Sequence, residues 1–173
     1  MSSHELADLV RNVPDFPLPG IAFKDITTLI GNGPAFQKVI STLSDRYRDR
    51  GITAVAGVES RGFIFSAPIA LELGVGLVPI RKPGKLPADT YQIEYSLEYG
   101  TNKLEIHRDA FEPGAQVLVV DDLLATGGTI AAAKQLIEQA GGTVVEMAFV
   151  IELNFLNGRE KLAPCPIFSL IQY

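Results

Sequence analysis

Val117–Thr129 reads VLVVDDLLATGGT, and the reading of this stretch decides the fold. Val117–Val120 is a short apolar run, mostly β-branched. It is too short for a helix and suits a strand buried on both faces. An acidic pair follows, Asp121-Asp122, then a Leu-Leu spacer, then Ala125-Thr126-Gly127-Gly128-Thr129. From Thr129 to Gln139 the apolar residues return at helical spacing, with Ile130, Ala133, Ile137 and Ala140 on one face. Gly141-Gly142 ends that helix. Strand, glycine-bearing loop and helix in this order form the repeating unit of an α/β sheet.

The same alternation extends outward. Ile52–Gly57 reads as a buried strand, Phe63–Leu73 as a helix stopped by Gly74, Leu77–Ile80 as a strand and Val144–Ile151 as another. Gly31-Asn32-Gly33-Pro34 starts a helix on which Phe36, Val39, Ile40, Leu43 and Tyr47 recur. Ser2-x-x-Glu5 has capping-box spacing and opens a short helix through Arg11. Tyr91, Ile93, Tyr95 and Leu97 alternate with polar residues, the pattern of an exposed strand, and Leu104–Ile106 is its candidate partner. Glu112-Pro113-Gly114 is a turn. The expected class is α/β, with a mostly parallel twisted sheet flanked by helices.

Composition narrows the function. The 173 residues are 47% hydrophobic and 20% charged, enough to bury a core. The formal charge of −5 disfavours nucleic acid as a partner, so any phosphate site must be local. The single cysteine, Cys165, excludes an internal disulfide and a multi-cysteine metal site. No charged segment followed by an apolar one opens the chain, and no run approaches a membrane span, so a cytoplasmic protein is expected. His4 and His107 lack ligand-like spacing, and no cluster of protein ligands for a metal is visible.

Ligands of open parallel sheets bind beyond the carboxyl ends of the strands. In Ala125–Thr129 the glycine pair lets backbone N–H groups turn toward an anion. The helix start adds unpaired donors and a favourable dipole, and Thr126 and Thr129 add hydroxyls. Together these residues describe a monophosphate cup. A carboxylate beside such a cup repels a bare phosphate but suits sugar hydroxyls or a hydrated Mg²⁺. Asp121, Asp122 and the cup thus match a ribose 5-phosphate. The P-loop and dinucleotide glycine patterns are both missing.

Two further strand ends carry cations. Glu59-Ser60-Arg61-Gly62 follows the Ile52 strand, and the planar fork of Arg61 suits a pyrophosphate. Arg81, Lys82 and Lys85 form the densest basic cluster, after the Leu77 strand. Taken alone, three loop cations are a solvated surface. In an acidic chain, beside two anion-suited loops, they are candidates to neutralise pyrophosphate. Taken alone, Glu98 reads as an exposed strand residue and Phe23 as core.

VLVVDDLLATGGT resembles the phosphoribosyl-pyrophosphate signature of the type I phosphoribosyltransferase family. The flanking stretches resemble its adenine-using members. They are Phe16-Pro17-x-Pro19-Gly20-Ile21-Ala22-Phe23-Lys24-Asp25, Glu59–Phe63, Arg81–Pro87, Tyr95–Gly100 and Gly158–Leu162, in order along nearly the whole chain. The resemblance implies one phosphoribosyltransferase domain over residues 1–173, with residues 1–33 contributing a small hood over the base and residues 85–105 a mobile β-flap. It implies that adenine and phosphoribosyl pyrophosphate give AMP and pyrophosphate, with Mg²⁺ held through substrate and water. It assigns Asp121 and Asp122 to the ribose, and Ala125, Thr126, Gly127, Gly128 and Thr129 to the 5′-phosphate. Pyrophosphate falls to Ser60, Arg61, Arg81, Lys82 and Lys85. Adenine falls to Ala22, Phe23, Lys24 and Leu153, the last following the final strand. Glu98 becomes the catalytic residue, either accepting the N9 proton or offsetting positive charge. A homodimer is implied as well. A rival expectation is a ligand sensor on the same fold. The presence of Arg61 and Glu98, and the lack of an added DNA-binding domain, favour the enzyme.

Overall fold

The structure is a computed structural model, and it describes residues 1–96 and 100–173. Helix α1 (Ser3–Ala7) opens with the expected capping box: Ser2 Oγ accepts the Glu5 N–H while the Glu5 carboxylate accepts the Ser2 N–H. The helix stops short of Arg11. Arg11–Val13 is instead a strand, β1, antiparallel to β2 (Phe23–Asp25). Tertiary partners outcompete one more helical turn here. The Arg11 N–H donates to Thr28 Oγ1 at 3.2 Å, and its guanidinium lies 2.9 Å from Asp25.

Helices α2 (Thr27–Ile30) and α3 (Gly33–Tyr47) follow. Asn32 caps α3 by accepting the Ala35 N–H, with Pro34 in the first turn, as the sequence signalled. Strand β3 (Ala54–Val58), helix α4 (Arg61–Leu73) and strand β4 (Gly76–Ile80) form a parallel unit. Gly74, at φ 68°, terminates α4. Strands β5 (Thr90–Ser96) and β6 (Thr101–His107) form a separate antiparallel ribbon, registered Thr90↔His107. Then come β7 (Gln116–Leu124), α5 (Gly128–Gln139), β8 (Thr143–Glu152), a 3₁₀ turn at Asn154–Leu156, α6 (Gly158–Leu162) and β9 (Ile167–Gln172).

The central sheet has the order β4-β3-β7-β8-β9, and all its strands are parallel. Alternation along β7 divides the core. Leu118 and Val120 face a cluster with Val39, Leu43 and Phe65 from α3 and α4; Val117 and Val119 face one with Ile130, Ala133 and Leu136 from α5. All four β7 residues are fully buried, which is why the strand reads as an unbroken apolar run. Each such side chain contributes about 1.5–3 kcal/mol of burial.

Two expectations need correction. Strand β7 continues past Val120 through Leu124, because β8 pairs with it as far as Leu124↔Glu152. The aspartates therefore stand on the strand itself. Leu153 follows β8, and β9 comes later; six residues after a short helix gave no signal strong enough to place it. The β1–β2 pair, α2 and α6 were missed for the same reason, since three to five residues carry no periodicity.

Candidate active site

Strands β4, β3 and β7 are neighbours, so their carboxyl ends bring the basic loop, the Glu59–Arg61 loop and the Asp121–Thr129 stretch to one edge. A cavity of about 460 Å³ lies there, lined by residues 58–61, Lys82 and residues 121–130. It gathers Ser60, Arg61, Lys82, Asp121, Asp122 and the whole Ala125–Thr129 cup.

The cup is built from backbone. Gly127 has φ 80°, and a Cβ there would lie 2.7 Å from the Gly158 carbonyl oxygen. Helix α5 begins immediately after it, and among the described residues no side chain caps its N–H groups, which leaves donors for an anion. The loop rests on α6: a Cβ on Gly158 would fall 2.2 Å from the Ala125 carbonyl oxygen. Tyr95 of the ribbon reaches the same place, its hydroxyl 3.3 Å from Thr129 Oγ1. Lys161 Nζ lies 3.8 Å from where a Gly128 Cβ would stand, a nearness that Gly158–Leu162 did not announce.

The acidic pair divides its partners. Asp122 is buried, and its Oδ2 lies 2.6 Å from Arg61 Nε. Asp121 accepts the Asp122 N–H at 2.9 Å. Burial first, and the Asp122 charge second, push the Asp121 carboxyl well above the usual carboxylate range, with Arg61 opposing. Gly62 makes the approach possible, because a Cβ there would lie 2.7 Å from Asp121 Oδ1. Ser60 holds the N-cap position of α4 without making a side-chain cap bond, so its hydroxyl remains available to the cavity.

The basic loop is only partly in the cavity. Lys82 lines it. Arg81 turns inward, donating to Glu59 Oε2 and to the Lys85 carbonyl, both at 3.3 Å. Glu59 also accepts the Lys82 N–H. Lys85 is exposed and does not line the cavity. Two carboxylates, Asp122 and Glu59, thus pair with the guanidinium groups of Arg61 and Arg81.

A second, more apolar cavity of about 830 Å³ lies between β1, β2 and Arg61, with Pro14, Phe16 and Phe23 in its lining. Phe16 meets Phe23 edge to face at 5.2 Å, and the Arg61 guanidinium lies 5.6 Å from the Phe23 ring centre. Arg61 lines both cavities, so they adjoin at its side chain. Ala22 is exposed beside Phe23. Lys24 Nζ sits over the Tyr173 ring at 3.9 Å, directed away from the cavity lining. Leu153 packs half-buried against the α3–α4 core and donates its N–H to Leu124; it lines neither cavity. Phe16 and Arg11 were not foreseen here. The apolar residues among the prolines were the signal for Phe16. Glu98 lies outside the described residues. Among the described residues no group of three or more His, Cys, Asp or Glu is placed to hold a metal, and no helix is long and apolar enough to cross a membrane.

A family model described as phosphoribosyl transferase domain matches residues 27–164. The adenine phosphoribosyltransferase of Chloroflexus aurantiacus is 74% identical over 173 residues, covering 100% of each chain. The chain belongs to the adenine phosphoribosyltransferase family. The crystal structure of the Thermoanaerobacter pseudethanolicus adenine phosphoribosyltransferase superposes with a TM-score of 0.96 at 50% identity, covering 99% of this chain and 100% of that one. The Giardia lamblia enzyme complexed with 9-deazaadenine gives 0.94 at 39% identity, covering 100% and 98%. The fold is the type I phosphoribosyltransferase fold, and the chain is a glycosyltransferase of the pentosyl-transferring class.

Proposed function

We propose that the chain joins adenine to the 5-phosphoribosyl group of phosphoribosyl pyrophosphate, giving AMP and pyrophosphate, a purine-salvage reaction. One observation carries this reading: a polar cavity holding the cup and the aspartate pair meets an aromatic cavity at Arg61. The 5′-phosphate binds the Ala125–Thr129 backbone and hydroxyls, and the ribose hydroxyls bind Asp121 and Asp122. Adenine stacks on Phe23, with the backbone of Ala22 and Lys24 at its edge. Breaking the bond from ribose C1 to pyrophosphate leaves an oxocarbenium-like carbon and puts negative charge on the leaving group. Ser60, Arg61 and Lys82 face that charge directly, with Arg81 and Lys85 behind them. The Arg61–Asp122 pair must part as ligand binds, with pyrophosphate taking the guanidinium and ribose the carboxylate. Adenine N9 then attacks C1 and loses its proton. Glu98 is the assigned catalytic group, as proton acceptor or as a charge stabilising the carbon. The ribbon is the flap that excludes water, and residues 1–33 supply the hood.

The donor set suits Mg²⁺ bound chiefly by substrate: few carboxylates face the cavity, and Mg²⁺ commonly pairs one or two of them with phosphate oxygens and water. When bound, it neutralises pyrophosphate. The reading includes a cytoplasmic homodimer. Helix α4 exposes Ile64, Ala67 and Leu71 at spacings of three and four, an apolar stripe that a second copy would cover. Leu71→Glu should then give a monomer by analytical ultracentrifugation; an unchanged mass would remove α4 from the interface.

The deciding assay supplies Mg²⁺, phosphoribosyl pyrophosphate and one purine base at a time, and measures nucleotide formed. AMP from adenine is expected. Turnover with another base alone would overturn the substrate. Saturable binding with no turnover would favour the sensor.

A further inference from the structure

Strand β6 carries a buried acid that lines neither cavity: Glu105, 7% exposed. An ionised carboxylate is costly to bury unless donors satisfy it. Here the donors come from two different segments. Glu105 Oε2 accepts the Gly84 N–H of the basic loop at 3.1 Å, and Oε1 accepts the Gln92 side-chain amide of β5 at 2.8 Å. The backbone adds two bonds between the same places: Arg81 N–H to the Glu105 carbonyl at 3.0 Å, and Glu105 N–H to the Arg81 carbonyl at 2.7 Å. Gly84 stands between Lys82 and Lys85, so the carboxylate grips the loop at its turn.

We infer that Glu105 is a positioning residue that couples the basic loop to the β5–β6 ribbon, so that pyrophosphate ordering the loop also orders the paired strands of the ribbon. The inference rests on the reading that this loop meets pyrophosphate. Its physical basis is that one carboxylate satisfies donors on both segments. Moving either segment alone strips a buried charge of a hydrogen bond, whereas moving both together keeps it. The backbone bridge at Arg81 holds the near end of the loop. The side chain ties the turn at Gly84, next to the Arg81 bond to the Lys85 carbonyl, and reaches across to β5.

Hydrogen exchange followed by mass spectrometry tests this, with magnesium pyrophosphate as the probe. In the wild-type chain, peptides covering 81–85, 90–96 and 101–107 should slow together, by about 10-fold. Glu105→Met keeps the side-chain length and removes the acceptors; its basic loop should still slow, while the ribbon loses most of its response. Glu105→Gln should restore the joint response, because the Gln92 amide can turn its oxygen toward the new donor. Gln92→Leu, at an exposed site, removes only the ribbon half of the tether and should weaken the ribbon response without lowering the melting temperature. A ribbon that responds fully in both Glu105→Met and Gln92→Leu overturns the coupling while leaving the pyrophosphate reading intact. Silence of both segments in the wild-type chain overturns the pyrophosphate reading, and the coupling with it. In steady state the coupled mechanism lowers kcat in Glu105→Met more than it raises the KM for adenine; a purely structural role would instead lower the melting temperature and shift both constants alike.

Discussion

The phosphate cup and the aromatic cavity lie on either side of Arg61 and are built in opposite ways. The cup is one contiguous stretch, Ala125–Thr129, whose donors are backbone N–H groups at the start of α5. The aromatic cavity is assembled from β1, β2, the Pro14–Phe16 segment and a guanidinium from α4. On the proposed reading, recognition in the first resides in backbone geometry, where a single misplaced atom is decisive, and in the second it resides in side-chain surface, which adapts. Changes in the cup should therefore act steeply on the ribose 5-phosphate end, and changes in the cavity should act mildly on the base.

The steepest break is Gly127→Ala. The added Cβ meets the Gly158 carbonyl at 2.7 Å in a left-handed conformation, so either the loop or α6 must move. A loss in kcat/KM for phosphoribosyl pyrophosphate of roughly 100-fold or more is expected, the scale of losing preorganised donors. Gly141→Ala is the control, with φ 91° but open space around its Cβ. Equal activities in the two variants would refute the argument from close approach.

The same contrast explains what could be read from sequence. The strand–loop–helix that carries Ala125–Thr129 was legible because its elements follow one another and every rule needed is local. Most βα units of the sheet were legible too, since their apolar runs and glycine stops are local signals. The β1–β2 pair was not: Arg11 looks like the end of a helix until Asp25 and Thr28, more than a dozen residues away, claim its donors. The inward turn of Arg81 was equally hidden, because its partner Glu59 is 22 positions distant. The partition of three cations into one that faces the cavity and two that do not depends on that tertiary pairing.

Ionisation sharpens the comparison next. Asp121 has its carboxyl pushed above the usual range by burial and by Asp122. If it receives ribose hydroxyls as an anion, kcat/KM for phosphoribosyl pyrophosphate must rise with pH through an ionisation well above about 4, the ordinary aspartate value. Stability runs the other way. A folded-state pKa above the unfolded one gives stabilisation that is present at low pH and lost as pH rises through the folded value. Asp121→Asn should flatten both trends. A rate profile that keeps its acid limb in this variant would assign the ionisation elsewhere. On the aromatic side, Phe23→Ala should raise the KM for adenine by about 10-fold, the scale of one base–aromatic stack. The KM for phosphoribosyl pyrophosphate should stay nearly level; a parallel rise would mean that the two cavities are not separable at Arg61.

The smallest catalytic effect is expected behind the cup. Arg159 on α6 donates to both Glu152 oxygens, at 2.6 and 2.7 Å, and to the Ile167 carbonyl at 3.1 Å. It thereby fastens the helix whose Gly158 supports Gly127 to the ends of β8 and β9. Burial raises the Glu152 carboxyl, but hydrogen bonds from Arg159 and Ser169 outweigh it, and the net pKa is lowered. A lowered folded-state value means stabilisation present above the unfolded pKa and lost as pH falls through the folded one. Arg159→Met should cost about 2 kcal/mol near neutrality, a charged hydrogen-bond pair with one partner still solvated. The melting temperature should fall by roughly 4–8 °C. The difference from wild type should shrink as pH falls below the ordinary glutamate range and through the lowered Glu152 value of the folded wild type. Because Arg159 does not line the cavity, kcat should fall far less than in Gly127→Ala. A comparable fall would mean that the cup depends on its buttress as much as on its own backbone, and the contrast between a self-contained cup and an assembled cavity would not survive.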